Sequence, residues 1–154
     1  MQADATLQLR EVNPQALYST LAAAPLSGSL SARTRTEAST ASAAGPAVDF
    51  ELDLKGRAPQ RGGNLLWLQE AAARGSWAAE TLRLERLRIA SNQARIEGSA
   101  SYAVPTESAT ARVELSVPGV RGRVDGSIAP RSGKGTAQLT AADAAQTLAW
   151  VLSL

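Results

Sequence analysis

The chain repeats one short pattern along most of its length. Apolar and polar residues alternate for seven to ten positions, and then Pro, Gly, Ser or Asn interrupts them. The clearest example is Val48 to Lys55, where apolar residues are separated by acidic ones. Successive side chains of a strand point to opposite faces, so each segment predicts a strand with one apolar and one polar face. The whole series predicts a sheet with a continuous apolar surface.

The alternation predicts eight to ten strands joined by short turns, which makes the fold class all-β with antiparallel neighbours. Turn residues mark 58–63, 91–93, 105–108, 118–119 and 130–133, and 39–46 reads as a loop. The segment 64–77 fits a helix by propensity and a strand by its context. We predict a strand there, because the neighbouring segments are strands.

The alternation changes phase once. Leu82 and Leu84 occupy one phase, whereas Leu87 and Ile89 occupy the other. Such a change inside an otherwise regular strand predicts a β-bulge or a break near Arg86.

Two short segments have helical signals instead. Asn13 and Pro14 form a good helix start, and Pro25 would end that helix. Asp143 is suited to cap a second helix, whose apolar stripe continues to the end of the chain. We therefore expect one β-rich segment, residues 1–154, cut from a larger protein, with one or two short helices.

The residues of the apolar face are unusually small. Gly98, Ala100, Gly122 and Gly126 occupy positions where a packed core prefers larger groups, and aromatic residues are only 4% of the chain. A closed β-sandwich core is the ordinary alternative. We favour an elongated, curled sheet with an open apolar groove. Its predicted lining is Val48, Phe50, Leu52, Leu54, Leu82, Leu84, Ile96, Val113, Leu115, Val117, Val124, Ile128 and Leu139.

The chain offers little for catalysis. It has no His and no Cys, so the usual pairs of nucleophile and base are missing, and zinc would need carboxylates alone. Asp49, Glu51 and Asp53 share one strand face and could hold Ca²⁺, but a solvated face explains them better. We predict no enzymatic activity, no metal and no cofactor.

Two further motifs have simple structural explanations. The segment 131–136 resembles a phosphate loop, but Ile128 and Gly135 stand where the Walker pattern needs Gly and Ser or Thr, so a hairpin turn is expected. Trp67, Trp77 and Trp150 could stack on a sugar, but core anchors are the simpler interpretation.

Charge and targeting signals narrow the classes further. The 16 basic and 14 acidic residues interleave along the predicted strands, which is typical of a solvated face with cross-strand ion pairs. A nucleic-acid interface would need a basic stripe with aromatic residues, so none is predicted. The sequence shows no membrane-spanning apolar run and no secretory signal.

The order of these units resembles the C-terminal half of the TamB family, the inner-membrane component of the translocation and assembly module, within the AsmA-like group. Leu9 to Leu17 with Pro25 to Leu30 resembles that family's unit of strand, Asn-Pro helix and Pro-x-x-Gly strand. Trp77 to Tyr102 resembles the next unit. Val117 to Gly119, and then Gly133 to Leu139 before an Ala-rich helix, resemble the one after it.

The resemblance implies a β-taco, which is a sheet folded lengthwise around an apolar interior that is open along one side. It implies a periplasmic segment of an inner-membrane-anchored protein, with phospholipid acyl chains as ligands and an outer-membrane barrel as partner through regions outside this chain. The first functional hypothesis is therefore a segment that holds acyl chains in an apolar groove for phospholipid transport between the inner and outer membranes. The alternative is an interaction module that templates or chaperones strands of outer-membrane barrels by edge pairing.

Overall fold

The computed structural model describes residues 3–13, 24–35, 47–59 and 66–152, and they form nine strands and one helix. The all-β prediction is confirmed. The strands are β1 (Asp4–Val12), β2 (Leu26–Arg35), β3 (Ala47–Gly56), β4 (Leu68–Ala78), β5 (Thr81–Ser91), β6 (Arg95–Ala103), β7 (Ser108–Val117), β8 (Val120–Ala129) and β9 (Ser132–Ala141), and the helix is α1 (Ala144–Val151).

The nine strands form one antiparallel sheet in which spatial order equals sequence order. Most of the connections between the described strands are too short for anything but a hairpin, so each strand pairs with the one before it. β1 and β9 lie at opposite edges of the sheet, which is therefore open. At a spacing of about 4.8 Å between strands, the sheet is about 40 Å wide.

The register brings residues of like polarity together across the whole sheet. Leu30 of β2 lies opposite both Leu7 and Leu52, and Val113 of β7 lies opposite Val124. Directly opposite residues share a face, so a slip by one residue would move every side chain to the other face. We call the two sides the apolar face and the charged face.

The phase change in β5 is accommodated by a bulge, as predicted. Leu84 pairs with Ala100 and Leu87 pairs with Gly98, which leaves two residues of β5 opposite a single residue of β6. The extra residue beside Arg86 returns Leu87 to the apolar face. The two phases seen in the sequence therefore belong to one continuous face.

The ambiguous segment 64–77 is a strand from Leu68 onward, and the part before residue 66 lies outside the described residues. Its residues Ala71, Ala73 and Trp77 lie opposite apolar residues of β3, as the alternation predicted. Small Ala side chains pack against the larger ones of β3, and this tertiary arrangement overrides their helix propensity.

The turns expected at 91–93, 105–108 and 118–119 are present, but Ser91 still belongs to β5 and Ser108 already belongs to β7. Most of the turn expected at 58–63 lies outside the described residues. The turn expected at 130–133 is shorter. Only Pro130 and Arg131 form it, and β9 begins at Ser132. The prediction of a hairpin turn over 131–136 was therefore wrong beyond Arg131. Gly133 to Thr136 pair with β8, because Gly alternates there with polar residues and continues the strand pattern.

The C-terminal helix forms as predicted, with Asp143 accepting a hydrogen bond from the backbone N–H of Gln146 at 3.0 Å. Thr147 donates a hydrogen bond to the carbonyl oxygen of Pro118 at 3.0 Å, which ties α1 to the β7–β8 turn.

The helix expected from Pro14 to Pro25 and the loop expected at 39–46 lie almost wholly outside the described residues.

Little of the described chain is fully buried. The buried apolar residues among the described ones are Ala24, Leu26, Ala47, Leu54 and Ala90. The described strands contact chiefly their neighbours in sequence, so no second layer forms the core of a closed sandwich within this part of the chain. Trp77 is 39% exposed and so is not the core anchor that was expected.

Candidate functional site

All the residues predicted to line a groove lie on the apolar face. Directly paired residues of neighbouring strands share a face, and the pairs form rows across the sheet that contain these residues. The alternating strands place one apolar side chain from nearly every strand in each row. The predicted residues fall into five rows across the sheet. The rows contain Val48, Leu82 and Ile128; Phe50 and Leu84; Leu52, Val113 and Val124; Leu54, Ile96, Leu115 and Leu139; and Val117 alone.

The exposure of this face increases toward the β9 edge. Its side chains from β3 to β7 are mostly half-buried. Val124 is 51% exposed, Ile128 69% and Leu139 73%. Two features account for this exposure. Their neighbours Gly122, Gly126, Gly133 and Gly135 are too small to cover these side chains, and Leu139 lies on an edge strand. A patch of exposed large apolar residues is a common mark of a binding surface.

A shallow groove of about 440 Å³ lies in this exposed region, across β7, β8 and β9. Ala111, Gly126 and Gly135 are cross-strand neighbours and form its floor. Val124 and Ile128 flank that floor on the same face. The groove crosses the strands, so it runs along the width of the sheet. Its volume is in the range of ordinary small-molecule pockets.

Two aromatic residues of the apolar face were not among the predicted lining residues. Trp77 and Tyr102 lie on either side of Leu82 and are 39% and 41% exposed. Both lie in the same row as Val48 and Leu82, near the ends of β4 and β6. Each side chain combines an apolar ring with a polar group. The position of Tyr102 in the alternation of β6 was the sequence signal for its face.

The charged face consists of a ladder of ion pairs between neighbouring strands. Arg88 of β5 lies 3.5 Å from Glu70 of β4 and 3.3 Å from Glu97 of β6. Arg112 of β7 lies 2.6 Å from Asp125 of β8. The cross-strand ion pairs predicted from the interleaved charges are confirmed. Each pair is half-exposed, so it contributes at most about 1 kcal/mol.

A depression of about 780 Å³ lies on the charged face over β3 to β7. Arg74, Arg86 and Arg112 line it together with acidic residues such as Glu51 and Glu85. Because both signs of charge alternate around it, it presents no strong field of one sign to a ligand. The depression is therefore explained by long paired side chains on a sheet.

The carboxylates singled out in the sequence do not form a metal centre in the described part of the chain, where no cluster of suitable ligands occurs. Asp49 instead forms an ion pair with Arg35 at 2.6 Å. Glu51 and Asp53 lie beside it on the charged face.

Within the described ranges the only helix is α1, which has eight residues. It is too short to cross a membrane. The features that remain as candidates for function are the apolar face and the edges of the sheet. Comparisons of this chain with protein-family models, with curated proteins and with solved structures found no match.

Proposed function

We propose that this chain binds phospholipid acyl chains on its apolar face. It would act without catalysis, as a periplasmic segment of an inner-membrane-anchored protein that moves phospholipid between the inner and outer membranes. The observation that carries the proposal is an apolar face that crosses nine strands and is not covered by a second layer within the described residues. The resemblance of the sequence units to the TamB family suggests the same ligand, although it is drawn from the same alternating strands.

The energetics favour a long, flexible apolar ligand. Each methylene group that leaves water contributes about 0.8 kcal/mol, so partial burial of one acyl chain is enough for capture. The exposed side chains of Val124, Ile128 and Leu139 recover contacts that the small residues around them do not supply. No directional polar partner is needed, which suits a ligand that must move along the surface.

The groove over β7 to β9 is the best-defined starting point for such a ligand. An acyl chain lying over Ala111, Gly126 and Gly135 would contact Val124 on one side and Ile128 on the other. Its head group would remain in water beyond the sheet. The floor residues have no polar side-chain atoms, and their backbones belong to paired strands. An apolar chain can therefore lie over them without burying an unpaired side-chain charge.

The test compares two neighbouring positions on opposite faces of β8. Ile128→Asp places a charge at the groove, and Ser127→Asp places the same charge on the charged face. Both residues are exposed, so both variants should fold. A fluorescent fatty acid should bind the parent chain and Ser127→Asp alike, whereas Ile128→Asp should weaken binding about tenfold or more.

Mass spectrometry of the purified chain should detect co-purifying phospholipid. Absence of phospholipid together with no binding of the fatty acid would refute the proposal. Equal loss of binding in the two variants would also contradict it, because the apolar face would then have no special role.

A second candidate function is supported by the open edges of the sheet. β9 has no partner on its outer side within the described residues, and a strand of an outer-membrane barrel could add to it by backbone hydrogen bonds. The test is protection of β9 amides from hydrogen exchange on addition of a barrel-strand peptide. Unchanged exchange would exclude this function for β9.

A further inference from the structure

We propose that β9 is a self-association edge, at which two copies of this chain pair antiparallel and form one continuous sheet of eighteen strands. The proposal does not rest on lipid binding. It rests on the backbone of β9, on the side chains that a second copy would place opposite it, and on the contrast with β1.

The two edges of the sheet differ in how well they are protected. In β1 the pairing with β2 shifts between Leu9 and Val12, and Glu11 has a left-handed backbone with φ of 52°. Bulges and charges of this kind discourage edge pairing. β9 pairs with β8 over all ten residues without a shift, contains no Pro, and has Lys134 as its single charge. Of the two edge strands among the described residues, β9 is therefore the less protected one.

The backbone groups that β9 offers can be identified from its turn. Pro130 and Arg131 form a two-residue turn, which closes on a hydrogen-bonded pair, Ala129 and Ser132. Hydrogen-bonded and non-hydrogen-bonded pairs alternate from there along the ladder. The N–H and C=O groups of the apolar-face residues of β9 therefore point outward. These residues are Gly133, Gly135, Ala137, Leu139 and Ala141.

A twofold axis beside Ala137 would relate the two copies. The outward N–H and C=O groups of one β9 then form hydrogen bonds with those of the other, and the apolar faces of both copies lie on the same side. Residues an equal distance on either side of Ala137 then lie opposite each other, which pairs Gly135 of one copy with Leu139 of the other. About ten backbone hydrogen bonds form, and the apolar faces of the two copies become continuous. Gly135 leaves room for the opposing Leu139.

The charges also permit this register. Lys134 of one copy lies opposite Thr140 of the other, so no two like charges meet across the interface. The helix does not obstruct the edge, since Thr147 holds α1 against the β7–β8 turn on the inner side of β9. In the alternative arrangement, β9 of one copy would pair with β1 of another. With the apolar faces on the same side, these two strands would be parallel and β1 is bulged, so this pairing would be weaker than that of β9 with β9.

The first experiment exploits the absence of Cys from the chain. In the proposed register Ala137 lies opposite itself at a Cα separation of about 5.5 Å, which suits a disulfide. Under mild oxidation Ala137→Cys should form a covalent dimer, whereas the control Leu7→Cys, at the exposed β1 edge, should remain largely unlinked. Equal crosslinking of the two variants, or none in either, would overturn the proposal.

The second experiment measures association directly by sedimentation. Ala137→Pro removes one outward N–H group and leaves the bonds to β8 intact, so it should raise the dimer dissociation constant about 100-fold or more. Circular dichroism checks that the variant folds. A parent chain that stays monomeric at all concentrations would refute the proposal, and so would a chain that binds a barrel-strand peptide at β9 while remaining monomeric.

Discussion

The apolar face has two regions with the same alternation and different packing. Over β3 to β5 its side chains are mostly half-buried, and Leu54 is buried. Over β8 and β9 the large side chains of Val124, Ile128 and Leu139 are exposed. In the first region a large side chain covers a small neighbour, as the ring of Phe50 does at Gly75. In the second region Gly126 faces Gly135 and neither covers anything.

The contrast shows that alternation decides which face a side chain occupies, whereas side-chain size decides whether that face closes on itself. The region over β3 to β5 behaves as a thin core. The region over β8 and β9 remains a surface, and it contains the groove proposed to bind acyl chains. Variants in the two regions should therefore differ in their effects, most strongly where a large side chain is truncated.

Truncation of a large apolar residue should separate the two regions most clearly. Leu54→Ala should lower the free energy of unfolding by about 2–4 kcal/mol, because it leaves a cavity among half-buried neighbours. Leu139→Ala removes a side chain that is 73% exposed and should cost no more than about 0.5 kcal/mol. Urea denaturation at low protein concentration measures both. Similar losses would show that β9 belongs to the core.

Adding a methyl group at glycine should separate the regions next. A Cβ at Gly75 would meet the carbonyl oxygen of Arg83 and lie 2.7 Å from the ring of Phe50, so Gly75→Ala should cost about 1–3 kcal/mol. A Cβ at Gly133 would find its nearest neighbour, the carbonyl oxygen of Ser127, at 3.8 Å. Gly133→Ala should be neutral or stabilise by up to about 1 kcal/mol. Thermal unfolding distinguishes these outcomes, and an equal loss at both sites would contradict the division.

The exposed turn between β4 and β5, next to the thin core, should be a point of backbone strain. Ala79 and Glu80 have φ of 46° and 55°, values that suit Asn and Gly in a two-residue hairpin. Ala79→Asn combined with Glu80→Gly should stabilise the chain by about 1 kcal/mol, measured by denaturation. Thr106→Gly, at a turn residue without positive φ, is the control and should not stabilise. A destabilised double variant would mean that the turn carries no strain.

The smallest effect is expected on the charged face. Arg112→Gln breaks the pair with Asp125 but should cost less than about 1 kcal/mol, because the two side chains are 59% and 43% exposed. The loss should shrink further at 1 M salt, where charges are screened within about 3 Å. A loss of several kcal/mol that persists at high salt would show that this face also forms part of the core.

Much of the sheet could be predicted from the sequence, because alternation and turn residues are local signals. They gave the strand around Phe50, the cap at Asp143 and the bulge near Arg86. The errors have a common cause. The start of β9 at Ser132 and the exposure of Trp77 both depend on which neighbours pack beside them, and a single strand contains no such information.

The candidate groove shows the same limit. The pairing places all the residues predicted from the alternation on one face, but only Val124 and Ile128 of them line this groove. The floor formed by Ala111, Gly126 and Gly135 could not be predicted, because it depends on the register of three strands. A register becomes defined only when turns and opposing side chains fix it together.

The sequence alone determined that this protein is a sheet with one apolar and one charged side, because a period of two residues leaves no other arrangement of its side chains. The tertiary structure decided which part of the apolar side is covered and which of the two edges of the described sheet is less protected against pairing. Those outcomes depend on the sizes of residues brought together from different strands, and on how completely each edge strand pairs, which no local pattern specifies.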